Sequence, residues 1–163
     1  MEISKQGVVT DIKNIKDSQM EDKQWQSLLQ LGNESFHEQQ WSQAELFYSE
    51  AYNLLALSYR NHPMCTETLM AWICACHNLS ALYESTNYLE LSLKFLTVPH
   101  EYLLNIANSE SAEEDAKVTA FNGLRLTLSP ILMFAKKYPI CENCLEKFTS
   151  LKGLLKQHAA VIH

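Results

Sequence analysis

Apolar side chains along this chain fall at intervals of three and four residues, the spacing that lines one face of a helix. Trp25, Leu28, Leu29, Leu31 and Phe36 mark the buried side of a first firm helix, opened by Ser18 and Glu21 as a capping box and stopped near Gln39 or Gln40. A second helix is predicted from about Ser42, with Glu45 completing another capping box, to Arg60, where Asn61-His62-Pro63 forbids continuation. Pro63 suits the first turn of a third helix, unbroken from Met64 to about Glu84 through Leu69, Trp72, Ile73, Leu79, Leu82 and Tyr83. That helix is expected to be the most buried.

Residues 1–17 carry only the sparse stripe Val8, Val9, Ile12 and Ile15, and are expected to form a frayed leader or a short docking helix. After Tyr88, Leu91 and Phe95, the run Thr97-Val98-Pro99 is expected to bend the chain into a short helix through Tyr102, Leu103, Leu104 and Ile106. Ser111 with Glu114 caps a further helix carrying Ala116, Val118, Phe121, Leu124 and Leu128. Ser129-Pro130 is expected to kink or restart it before Ile131 to Phe134. The fold class is all-α, divided into a leader (1–17), a helical domain (18–137) and a C-terminal segment (138–163).

Within this pattern Leu31, Gly32, Asn33, Phe36, Trp41, Ala44, Tyr48 and Ala51 alternate small residues with aromatics across a polar break. Small residues belong where two antiparallel helices come close, and the aromatics fill the space between neighbours. The stretch resembles a tetratricopeptide repeat, a helix pair recurring about every 34 residues. His77-Asn78-Leu79-Ser80-Ala81-Leu82-Tyr83 followed by Tyr88, Leu91 and Phe95 repeats it, and with His62-Pro63 it resembles the kinesin-light-chain variety. Trp41 to Tyr88 is 47 residues, and Leu91 stands where the first copy has Ala44. The expected architecture is two degenerate repeats plus closing helices.

The resemblance implies that the first helix of each pair lines a concave groove for a bound peptide. Asn33 and Asn78 fall at groove positions, where an amide both donates to and accepts from a peptide backbone. Asparagines there can equally cap turns or face solvent. Leu29 stands where a variety that clamps a terminal carboxylate would place a basic residue, and no lysine or arginine occurs from Gln24 to Tyr59. Glu34, His37, Glu38 and Glu84 leave the groove acidic, which favours a basic or amphipathic protein partner.

Near the C-terminus, Cys141 and Cys144 are separated by two residues, and Phe148 with Leu154 or Leu155 precedes His158 and His163. Two thiolates on a turn and two imidazoles on a helix face can close a tetrahedral zinc site. The segment resembles a C2H2 zinc finger, with thirteen residues between Cys144 and His158 where the common pattern has about twelve. A structural zinc held by Cys141, Cys144, His158 and His163 is expected. Its helix offers only Lys152, Lys156 and Gln157 to phosphates or bases. Nucleic-acid binding through 138–163 is therefore the alternative to a protein contact.

Charge supports that order. Residues 1–135 hold eight basic and seventeen acidic side chains, net −9, whereas 136–163 carry +3, making the −6 of the 163-residue chain. An acidic body repels nucleic acid. Apolar residues at 47% with only four glycines and four prolines exclude a disordered chain. Met1 to Lys5 lacks a basic, apolar leader, and the run Leu69–Cys76 is far short of the roughly 18 residues of a membrane span. Five cysteines at uneven spacing fit reduced thiols in the cytoplasm. Cys74, Cys76 and His77 raise a second metal or nucleophile site. On a helix, however, Cys74 and His77 share a face while Cys76 points elsewhere, as in core packing. The expected function is a non-enzymatic adaptor or regulator that binds a peptide or helix.

Overall fold

The computed structural model describes residues 24–139, which form helices joined by short turns and no strand. Helix α1 runs from the first described residue to 37, followed by α2 (Trp41–Asn61), α3 (Thr66–Ser85), α4 (Leu89–Asn108) and α5 (Glu114–Lys137). The all-α expectation holds for these residues. The leader at 1–17, the Ser18–Glu21 box and the metal ligands Cys141, Cys144, His158 and His163 lie outside them.

Helices α1 and α3 end in the same way. Gln39 and Asn87 adopt left-handed φ angles of 58° and 64°. The Gln40 N–H returns to the Ser35 carbonyl at 2.8 Å and the Tyr88 N–H to the Tyr83 carbonyl at 2.7 Å. Gln39 N–H reaches Phe36 O at 3.0 Å, and Asn87 N–H reaches Glu84 O at 3.1 Å. These are the paired bonds of a Schellman motif, which satisfies the last carbonyls of a helix and reverses the chain. Each bond recurs after 48 residues, as from Gln40 to Tyr88. The register that set Tyr88 against Trp41 is therefore one residue short. Trp41 corresponds to Leu89, the first residue of α4, and Ala44 corresponds to Ser92 rather than Leu91.

Several local signals are overridden. The Ser42–Glu45 box does not form, because the chain passes straight from the turn into α2 with Gln40 at its cap. Glu45 instead accepts the Tyr83 hydroxyl at 2.6 Å. Glu113 caps α5 without a side-chain bond, and Ser111 pairs with the Ser109 hydroxyl at 3.1 Å. Pro63 lies in the turn before α3 rather than in its first turn. Pro99 does not bend the chain into a separate short helix, and α5 continues through Pro130. A proline inside a helix costs roughly 3 kcal/mol. Here Pro99 is fully buried on a helix that packs against both α3 and α5, and that packing carries the helix through.

Sequential helices pack antiparallel, as the contacts across each turn record. Glu45 near the start of α2 meets Tyr83 near the end of α3, and Ser80 late in α3 meets Ser92 early in α4 at 2.9 Å. His100 Nδ1 pairs with the Thr127 hydroxyl at 2.8 Å between α4 and α5. Contacts also join α1 to α3 and α3 to α5, giving one layer of α1, α3 and α5 over a second of α2 and α4. Between the layers Tyr59 stacks on Trp72 at 5.7 Å, and Tyr52 and Tyr102 close around them.

The third helix buries Leu69, Trp72, Ile73, Leu79, Leu82 and Tyr83 as expected. Leu31 and Val118 instead face solvent. The inward stripe of α5 runs through Ala116, Ala120, Gly123 with Leu124, Thr127 with Leu128, Ile131 and Phe134. By length and composition alone α5 is apolar enough to cross a membrane, yet its buried side is matched by α3 and α4.

Gln39 offers a direct test of the turn. A left-handed glutamine costs about 1–2 kcal/mol that glycine avoids, less the ~0.5–1 kcal/mol of extra freedom glycine has when unfolded. Gln39→Gly should therefore raise stability in urea melts by about 0.5–1 kcal/mol, whereas Gln39→Ala should not.

Candidate functional site

The site is built on the α1, α3 and α5 layer, and begins with the absence of a side chain. A Cβ on Gly32 would lie 2.5 Å from Cδ1 and Cε1 of Tyr48, so only glycine lets that ring lie flat on α1. The buried ring then carries its hydroxyl to Asn33 Oδ1, to which it donates at 2.8 Å. Burial, with Cys74 nearby, raises the Tyr48 pKa and keeps the phenol a donor.

Asn33 Oδ1 also accepts from Asn78 Nδ2 on α3, at 3.5 Å. The two asparagines singled out in the sequence are thus neighbours, although Asn78 is not the repeat counterpart of Asn33. That counterpart, 48 residues on, is Ala81. With one oxygen shared, Asn33 keeps its amide N–H groups and Asn78 its carbonyl without partners among the described residues. A donor and an acceptor side by side match what one residue of an extended peptide backbone offers.

His37 is exposed at the end of α1, its ring edge-on to Phe36 at 6.3 Å. Leu29 is half-buried and packs against both core clusters. Glu34 and Glu38 are exposed on α1, and Gln30 donates to Glu34 at 3.1 Å.

Between α3 and α5 the same layer opens into a cleft of about 310 Å³. Its floor is Leu96 and Phe134, both buried, and its rim includes Ala81 and the exposed Met133. At one end Glu84 accepts bonds from the Lys137 ammonium and from the Tyr138 hydroxyl, the latter at 3.0 Å. The bond from Lys137 holds the Glu84 carboxyl below its ordinary value, and the same bond raises Lys137.

His77 also lines the cleft. Its Nε2 is buried without a hydrogen-bond partner among the described residues, and burial lowers its pKa, so the ring is neutral at pH 7. Cys74 is exposed while Cys76 is buried, its thiol pushed well up by burial. Among the described residues no group of three His, Cys, Asp or Glu side chains could hold a metal.

Sequence reading missed the cleft, its Met133 rim and the Glu84–Lys137 pair. The missed signal was the 48-residue register. Matching aromatic to aromatic, Trp41 to Tyr88, hid the alignment of Tyr48 with Leu96 and of Asn33 with Ala81.

Two outcomes follow for the side chains. Asn33→Ala strips the part-buried Tyr48 hydroxyl of its acceptor and should cost about 0.5–1.5 kcal/mol in urea melts. Asn78→Ala loses only a long contact and should stay within ~0.5 kcal/mol. For His77 the folded state binds a proton less readily than the unfolded chain, whose value is near the ordinary 6.5. Its contribution is complete above that value and is lost as pH falls below it. Stability should therefore drop from pH 7 to 5, and His77→Phe should flatten that limb of the profile.

A family profile described as "Protein of unknown function (DUF2753)" matches residues 23–161, and the chain belongs to that family. The match covers the helical layer pair together with Cys141, Cys144 and His158. Comparisons with curated proteins and with solved structures gave no match.

Proposed function

We propose that this member of the DUF2753 family is a non-enzymatic interaction module, which takes a peptide or helix of a partner protein on its α1/α3/α5 face in the manner of a tetratricopeptide repeat. The observation that carries the reading is the amide pair. Tyr48 donates to Asn33 Oδ1 at 2.8 Å, Asn78 approaches the same oxygen at 3.5 Å, and the remaining donor and acceptor are left to a ligand backbone. His37 and the partly exposed Leu29 flank the same strip. The two helix–turn–helix units 48 residues apart, with their inner helices side by side, support the kinship with such repeats.

The partner chemistry follows from charge. With Glu34 and Glu38 exposed and no lysine or arginine from Gln24 to Tyr59, the face favours a basic or amphipathic segment. The net −9 of residues 1–135 opposes a nucleic-acid backbone. Free Cys65, Cys74 and Cys76 accord with a cytoplasmic setting. We assign Cys141, Cys144, His158 and His163 to a structural zinc on the strength of their spacing. A site closed by four protein ligands leaves no position for substrate.

Selection of a random peptide display library on the full-length protein tests the face. Enriched peptides should bind more weakly at high salt, and Asn78→Ala should weaken them about tenfold, the effect of losing roughly 1.4 kcal/mol. Enrichment indifferent to both Asn33→Ala and Asn78→Ala would place the binding elsewhere. The zinc assignment is tested by elemental analysis. One zinc per chain is expected, lost in Cys144→Ser while the helical signal of the body persists; metal-free protein with intact helices would refute it.

A further inference from the structure

The cleft between α3 and α5 has a structural cause that also indicates its ligand. In the first helix pair, the space above the close crossing is filled from within by the Tyr48 ring and closed over by Asn33. The second pair repeats the backbone after 48 residues but carries Leu96 in place of Tyr48 and Ala81 in place of Asn33. The ring, its hydroxyl and the amide are all absent there. What remains is an open apolar floor of Leu96 and Phe134, beside His77 Nε2, which has no partner among the described residues.

We infer that this cleft is the anchor pocket of the partner-binding face, taking one large apolar side chain, of the leucine, methionine or phenylalanine class, from a peptide that also carries lysine or arginine. The inference rests on the interaction reading above and deepens it. Apolarity of the anchor follows from the floor and from Met133, exposed at the rim, whose flexible thioether adapts to several shapes. The size fits, since about 310 Å³ is at the small end of ligand pockets and suits a side chain rather than a cofactor. The basic residue follows from charge complementarity. Lys137 is paired with Glu84, while Glu34 and Glu38 on α1 carry no ion pair among the described residues. A short contact of this kind, one buried anchor within a polar strip, concentrates most of its binding energy in the anchor.

The test rebuilds the first pair in the second. Ser80→Gly and Ala81→Asn with Leu96→Tyr restore the glycine–tyrosine–asparagine filling and close the cleft, and Ala81→Phe plugs it from the surface without touching the buried floor. Peptides selected on the full-length protein from a random display library should share one large apolar residue within a few positions of a lysine or arginine. Replacing that apolar residue by alanine should weaken binding about tenfold or more, and either closed-cleft variant should do the same. The two changes together should be far less than multiplicative. Glu34→Lys with Glu38→Lys should remove the preference for a basic residue.

Selected peptides that depend on Asn78 but bind both closed-cleft variants unchanged would overturn this inference and leave the interaction reading standing. A library that yields no binder would overturn both. Two other occupants are also read out. If wild-type protein dimerises in sedimentation and the Ala81→Phe variant does not, a second copy fills the cleft. If closing the cleft instead raises hydrogen exchange across residues 140–163, the chain's own C-terminal segment fills it. Either result would overturn the proposal of a partner peptide.

Discussion

The close crossing inside each helix pair is the constraint on which the rest of this molecule depends. At the first crossing Gly32 lies beneath the ring of Tyr48, and at the second Ser80 and Ser92 meet through their hydroxyls. Only small residues allow helices to approach this closely, and the approach fixes how the chain must turn. The left-handed Gln39 and Asn87 supply that turn with the same hydrogen bonds in both pairs. Gly123 does related work for α5, where a Cβ would stand 2.8 Å from Leu103 and 3.1 Å from Leu69.

One backbone frame filled in two ways explains the contrast between the two parts of the α1/α3/α5 face. Tyrosine over glycine carries a hydroxyl to the surface and orients an amide, producing a polar strip at Asn33 and Asn78. Leucine over serine stops short of the surface and, with Ala81 at the rim, leaves an apolar cleft. A polar strip and an apolar cleft then lie side by side on α1, α3 and α5. The Glu84–Lys137 pair and the Tyr138 hydroxyl mark the outer end of the cleft.

Much of the fold was legible because helix periodicity is a strong signal over long segments. The buried set of α3 was read correctly, and the ends of α2 and α3 lie within about two residues of their expected positions. The errors share a cause, in that short local signals were outweighed by contacts distant in sequence. Ser42–Glu45 has the letters of a capping box, but Tyr83 from another helix takes the glutamate. Pro99 has the form of a helix break, but burial on a helix flanked by α3 and α5 holds α4 together. At the site, the sequence singles out Asn33 and Asn78 as amides on successive inner-layer helices. Their mutual contact and the cleft were not legible, because both depend on a register that aromatic matching shifts by one residue.

A double-mutant cycle at the first crossing tests this account most directly. Gly32→Ser adds a side chain into the Tyr48 ring and should cost about 1–3 kcal/mol in urea melts. Tyr48→Leu removes the ring and, with Gly32→Ser, reproduces the Ser80 and Leu96 arrangement of the second pair. If the two pairs are one frame filled in two ways, the serine should cost much less in the leucine background, with a coupling of at least about 1 kcal/mol. Losses that add to within ~0.3 kcal/mol would contradict it.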